Sequence, residues 1–145
     1  MNDMPGTKTF RRGDVVLVLF PNSNLRTARL RPALVVQADQ LDSGLDQVVV
    51  AMMTSRMFRA NHPSRVTVLL DSKEGRTAGI LSDSVVMTDN LATVGLPEID
   101  QIIGSLPMPS VDDALRHTLG LVSLSDPRPE AENGRHTRSK DAPDQ

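Results

Sequence analysis

Gln47-Val48-Val49-Val50-Ala51-Met52-Met53-Thr54 is apolar from its second residue to its seventh and opens with three consecutive β-branched side chains. Such a run is short for a helix, and a strand without polar alternation is buried on both faces. It therefore predicts a central β-strand, and the rest of the chain can be read outward from it. Towards the N-terminus, Asp42-Ser43-Gly44 is a turn signal. Before it, the apolar segment Ala33-Leu34-Val35-Val36-Gln37 reads as a strand with Arg31-Pro32 at its entrance, where proline is tolerated. Leu25 to Leu30 reads as a basic loop, and Asp14 to Phe20 as the first strand, closed by the turn formers Pro21-Asn22-Ser23-Asn24.

Towards the C-terminus, Arg65 to Leu70 alternates as a fourth strand, and Asp71 to Gly75 is a polar turn leading to Ala78–Thr88. Leu91 to Val94 and Gln101 to Leu106 add short strands around Gly95-Leu96-Pro97. One helix is expected at the end, with Ser110 as N-cap, Asp113 as its capping partner, and Val111, Ala114, Leu115, Thr118, Leu119 and Val122 at helical spacing. Short, regularly punctuated strands favour a small antiparallel barrel with that helix packed on it over a βαβ fold. Residues 1–9 read as a mobile leader and residues 125–145 as a disordered tail too poor in apolar side chains to offset ordering entropy, leaving a domain over residues 10–124.

Composition narrows the function. With 145 residues the chain suits one domain, and with no cysteine it forms no disulfide or thiolate metal site. It has neither an eighteen-residue apolar run nor an N-terminal export signal, so a cytoplasmic protein without a membrane span is expected. The net charge of -2 conceals an asymmetry: Lys8 to Arg65 holds nine basic residues against four acids, and Val66 to Gln145 seven against thirteen. A basic half suits a polyanionic ligand. With only Phe10, Phe20 and Phe58 as aromatics, a surface that binds nucleic acid mainly by stacking is disfavoured, so contacts should rest on charge and hydrogen bonds.

Four segments occur together in order: Arg12-Gly13-Asp14-Val15-Val16, Arg31-Pro32-Ala33-Leu34-Val35-Val36, Val49-Val50-Ala51-Met52-Met53-Thr54-Ser55, and Ser82-Asp83-Ser84-Val85-Val86-Met87-Thr88-Asp89-Asn90-Leu91. With Ile102-Ile103-Gly104-Ser105-Leu106 and the final helix, they resemble the MazF/PemK (Kid) family of toxins over roughly residues 11 to 124. The resemblance implies a mainly β fold with short helices, an SH3-like antiparallel barrel shared with CcdB. It implies a homodimer that cleaves single-stranded RNA at short motifs without a metal or cofactor. The products implied are a 2′,3′-cyclic phosphate and a 5′-hydroxyl, and a cognate antitoxin peptide is implied to block the RNA groove. The family's catalytic arginine falls on Arg31 and its catalytic threonine on Thr54. The loop Pro21 to Leu30 departs from the Gly-Ser-Glu-Gln-like stretch of many members and resembles the subgroup whose first strand ends in Phe-Pro, as Phe20-Pro21 does here.

Those residue types suit the chemistry. When a 2′-oxygen attacks its own phosphate, charge builds on the non-bridging oxygens. An arginine meets it with a planar fork of donors and a permanent charge, but is a poor base. Arg31 is therefore assigned to the phosphorane-like transition state, with donation towards the 5′-oxygen as a second task, and Thr54 to the phosphate or 2′-hydroxyl. Arg26, Arg29 and Arg56 flank them as secondary RNA contacts. His62 reads as an exposed loop residue and His117 as a helix-surface one; neither Asp112-Asp113 nor Asp83-Ser84 has metal-ligand spacing, and Asp83 and Ser84 read as a structural turn or dimer contact. Two other functions fit the same barrel, a CcdB-like gyrase poison and a non-catalytic nucleic-acid binding module. The first is disfavoured by the absence of tryptophan and the polar C-terminus.

Overall fold

The computed structural model describes residues 9–121. The expected leader and tail, apart from Thr9, and the last residues of the expected domain lie outside that range. Within it, six strands run in sequence as β1 (Asp14–Pro21), β2 (Ala28–Val35), β3 (Gln47–Thr54), β4 (Arg65–Val68), β5 (Ser84–Gly95) and β6 (Ile99–Ser105). Two helices are added, α1 (Lys73–Ala78) between β4 and β5, and α2 (Pro109–Leu119) after β6. All pairings are antiparallel and the sheet order is β4-β5-β3-β2-β1-β6, so the Gln47–Thr54 run is central, as its composition demands.

β3 is buried on both faces, and alternate residues enter two different cores. Ala51 and Met53 join Val15, Leu34, Val86, Ala78 of α1 and Val111 of α2 on the helix-covered face. Val48, Val50 and Met52 join Val16, Val18, Ala33, Val94 and Ile99 on the other. β5 and β6 stand far apart in sheet order, yet Val94 and Ile99 meet in that second core. The sheet thus curls on itself in the barrel-like manner expected, although hydrogen bonding does not close it into a ring.

Several local readings are corrected. β2 begins at Ala28, because the connection after β1 is short: Asn22 N donates to Thr27 O at 2.8 Å, and Asn24 Oδ1 accepts from Arg26 N and Thr27 N. Pro32 consequently lies inside β2. It is accommodated because β3 pairs only with Ala33, Leu34 and Val35, leaving the stretch from Ala28 to Pro32 paired on its β1 side alone. Asp71 to Gly75 is no simple turn but the entry to α1, where Ser72 Oγ accepts from Gly75 N at 2.9 Å as N-cap. Gly79, at φ 74°, ends α1 in the left-handed conformation, and a side chain there would collide with the Ile103 backbone. The final helix packs on β4 and β5 as expected, but its N-cap is Met108, without a side-chain cap, and Ser110 lies in the first turn behind Pro109. Pro109 takes a position where a missing N–H costs nothing.

The segment that separates β5 into two expected pieces is a bulge. Met87 pairs with Met52 and Leu91 with Ala51, so Thr88, Asp89 and Asn90 are extra residues opposite a single step of β3. Thr88 turns inward: it is fully buried, its hydroxyl bonds Ser64 O at 2.7 Å, and Thr118 Oγ1 of α2 lies 2.7 Å away. Asp89 turns outward to Arg65, with Nη2 to Oδ2 at 2.7 Å.

Candidate active site

Arg31 is on β2 and Thr54 on β3, just past the point where the two strands stop pairing at Ala33 and Met52. Beyond that pair the strands separate, and the space between them opens into a cleft of about 580 Å³ that both residues line together with Arg29 and Arg56. A smaller cleft of about 400 Å³ also has Arg31, Thr54 and Arg56 in its wall, with Arg59 and Asn90 added. Arg31, Met53, Thr54 and Arg56 therefore form the ridge common to both spaces.

The residues are held for different reasons. Arg31 is half-buried, fixed in the β1–β2 ladder opposite Val18. Its guanidinium makes no ion pair or hydrogen bond with another described residue. Thr54 is oriented by its own turn: Oγ1 accepts from Arg56 N at 3.1 Å. That bond uses a lone pair and leaves the hydroxyl proton available to an acceptor in the cleft.

The cations of this region are left unneutralised by the fold. Arg12 pairs with Asp112 at 2.7 Å, Arg65 with Asp89 at 2.7 Å, Arg76 with Asp71 at 3.6 Å and Arg116 with Asp113 at 2.7 Å. Arg29, Arg31 and Arg56 have no such partner among the described residues, and none of the residues lining either cleft is acidic. The cationic field is thus left open to a ligand instead of being neutralised within the fold. Beside it, the hydrogen bond from Arg65 holds the Asp89 carboxyl below the ordinary carboxylate range and raises the Arg65 guanidinium.

Of the five residues chosen from sequence, Arg29, Arg31, Thr54 and Arg56 are brought together. Arg26 is not: it sits at the exposed tip of the β1–β2 connection and lines neither cleft. His62 and His117 are both exposed, as expected, and they meet edge to face with ring centroids 6.0 Å apart, outside both clefts. His62 Nδ1 accepts from Ser64 N at 3.0 Å, which makes it part of the turn before β4. Asp83 is likewise structural, accepting from Leu70 N at 2.8 Å. Two polar residues of the smaller cleft escaped the sequence reading, Arg59 and Asn90. Arg59 lay visible in the basic half of the chain, whereas Asn90, which falls between two expected strands, is carried to the cleft wall by the bulge.

Comparison with known proteins identifies the family and the fold. The sequence profile of the family described as the PemK-like, MazF-like toxin of type II toxin–antitoxin systems matches residues 11–119. Among solved structures, an endoribonuclease from Mycobacterial species superposes with a TM-score of 0.60 at 22% identity, covering 81% of this chain and 98% of that one. An endoribonuclease from Mycobacterial species in complex with its cognate antitoxin gives 0.60 at 23% identity, covering 79% and 99%. A MazE–MazF crystal structure from Deinococcus radiodurans gives 0.60 at 19% identity, covering 80% and 100%. At these identities the structural likeness speaks for the fold.

Proposed function

The chain belongs to the PemK-like, MazF-like toxin family of type II toxin–antitoxin systems, and from that premise we propose that it is a metal-independent endoribonuclease acting on single-stranded RNA, messenger RNA above all. The observation that carries this reading is the unpaired Arg31 guanidinium standing with Thr54 in an acid-free cleft. A phosphodiester bound there meets a bidentate, permanently charged donor from Arg31 and a hydroxyl donor from Thr54.

The reaction follows from those two donors. The 2′-hydroxyl oxygen attacks the adjacent phosphorus as its proton passes to solvent water, the bond to the 5′-oxygen breaks, and that oxygen takes up a proton delivered through Arg31, which solvent replaces; the products are a 2′,3′-cyclic phosphate and a 5′-hydroxyl. Arg31 stabilises the charge that develops on the non-bridging oxygens and donates towards the leaving 5′-oxygen, while Thr54 holds the phosphate or the 2′-hydroxyl in line. Neither side chain is a base near neutral pH, so the site works by alignment and charge stabilisation. Arg29 and Arg56 track the flanking phosphates, and Arg26 meets the strand only where it leaves the cleft.

The functional unit is proposed to be a homodimer. A cognate antitoxin segment is proposed to restrain it, laying carboxylates across the same arginines. Residues 10–124 are taken as the toxin domain, and the cytoplasm, where messenger RNA is translated, as its place of action. Among the described residues no helix is long and apolar enough to cross a membrane.

The experiment is cleavage of a long single-stranded RNA in EDTA, with Arg31→Ala and Thr54→Ala alongside and product ends mapped. Cuts at a recurring short motif with cyclic phosphate ends, lost in both variants, are the expected result. A folded wild-type protein that leaves every RNA intact would overturn the reading.

A further inference from the structure

Phe58 occupies the middle of the short 3₁₀ turn Met57–Arg59, directly after Thr54-Ser55-Arg56, and is 77% exposed. The turn is braced. Arg59 N donates to Arg56 O at 3.0 Å, Ala60 N to Met57 O at 3.0 Å, and Arg65 Nη1 to Arg59 O at 3.0 Å. Phe10 and Phe20 both pack against the core, so Phe58 is the one phenylalanine that the fold displays instead of using. The Arg59 guanidinium lies over its ring, 5.5 Å from the centroid. That same arginine lines the smaller cleft with Arg31 and Thr54.

We propose that Phe58 is a stacking platform for a nucleobase of the bound strand, adjoining the phosphate-binding cleft; this rests on the RNA-cleavage reading above. A strand whose phosphates follow Arg31 and Arg56 passes the ring at the cleft's end, with its bases unstacked from one another. An aromatic face accepts any base, and the arginine over the ring adds a cation–π contribution. The surroundings favour a nucleic acid over a protein segment: Arg56 and Arg59 flank the ring in sequence and no acid lines the adjoining cleft. The contact supplements charge-based binding with one stacked base instead of replacing it.

The chain contains no tryptophan and no tyrosine, so Phe58→Trp creates a single fluorescent reporter at this position. The probe is a short 2′-O-methyl RNA, which has no free 2′-oxygen and cannot be cut. It is compared with an abasic strand of the same length, both tagged so that binding is read independently by anisotropy. The expected result is quenching of the tryptophan by the RNA and none by the abasic strand, although both bind. Phe58→Ala should weaken the 2′-O-methyl RNA about tenfold, equivalent to ~1.4 kcal/mol, with the salt dependence unchanged because no phosphate contact is lost. Unaltered fluorescence while the RNA binds, or equal affinity of Phe58→Ala and wild type, overturns the proposal. Intact RNA affinity with lost self-association or antitoxin binding in Phe58→Ala would assign the ring to a protein contact. Failure of the wild type to bind any RNA would reject the RNA-cleavage reading itself, and the stacking role with it.

Discussion

Arg31 and Thr54 stand opposite one another on the register line of β2 and β3, two residues beyond Ala33 and Met52, the last pair that the strands make. The ladder that aligns them ends just before it would join them, so the two side chains share a frame while the gap between them admits a substrate. In the proposed reaction they act on one phosphate, and their effects should not add. Arg31→Ala is expected to raise the barrier by about 2 to 4 kcal/mol, and Thr54→Ala by less. The double variant should be little worse than Arg31→Ala alone. Single-turnover cleavage rates of the three variants test this, and simple addition of the two losses would contradict it.

Arg31→Lys keeps the charge and loses the fork. Because the proposed role is two-point donation to a phosphate, the lysine variant should bind RNA nearly as well as wild type and cleave far more slowly. Separate measurement of affinity, on an uncleavable strand, and of the cleavage rate decides it. Equal loss in both would mean that Arg31 serves binding alone.

Binding should weaken steeply with salt, because the cleft offers unpaired arginines. On single-stranded RNA the slope of log affinity against log salt should fall by about 0.7 when Arg29 or Arg56 is replaced by alanine, one phosphate contact each. Arg26→Ala should change the slope least, since Arg26 lines neither cleft. A slope insensitive to all three would refute the assignment of phosphate contacts.

Thr88 gives a prediction about stability. Its single hydroxyl proton goes to Ser64 O, so Thr118 must be the donor in the Thr88–Thr118 bond. Thr88→Val removes both contacts in a fully buried place and leaves Thr118 without its partner. It should cost about 1 to 3 kcal/mol, and Thr118→Val less, since the Thr88-to-Ser64 bond survives. Urea unfolding of both variants would show the order.

Asp89 adds a pH dependence with a definite sign. Its carboxyl is lowered from the ordinary value by Arg65, so its contribution to stability is complete above the unfolded carboxylate range and is lost as pH falls through the depressed folded value. The melting-temperature deficit of Asp89→Asn should therefore be constant from neutral pH down to about 5 and vanish in strong acid. A deficit that persists there would mean that the pair acts through packing instead of charge.

How much of this was legible in the sequence depends on whether the signal is local. The Gln47–Thr54 run announces a strand buried on both faces, because burial on two sides removes the polar alternation that a one-sided strand would keep. Val111, Ala114 and Leu115 announce α2 by their spacing. Arg31 and Thr54 were readable through ordered motifs, and the cleft they share follows from register. Helix α1 was missed because Lys73-Glu74-Gly75-Arg76-Thr77-Ala78 has too few apolar residues for a periodicity to show, and what keeps it is the Ser72 cap and close contact with β6. The start of β2 was missed because Ala28, Arg29 and Leu30 are exposed and carry no burial pattern, their pairing being dictated by β1. Arg26 was drawn to the site by proximity in sequence, whereas the tight turn at Asn24 points the chain away from the cleft before Arg29 returns to it.

The bulge at Thr88-Asp89-Asn90 divides labour among neighbours: one residue clamps the final helix, the next braces a turn through Arg65, and the third faces the cleft. Anchoring by the first two leaves the third with no side-chain hydrogen bond or ion pair to another described residue. A substitution at position 90 therefore changes the cleft wall first and the fold's side-chain contacts least. Under the proposed RNA-cleaving role, position 90 is thus a place where the cleft wall can be altered with the Thr88 and Asp89 contacts left standing.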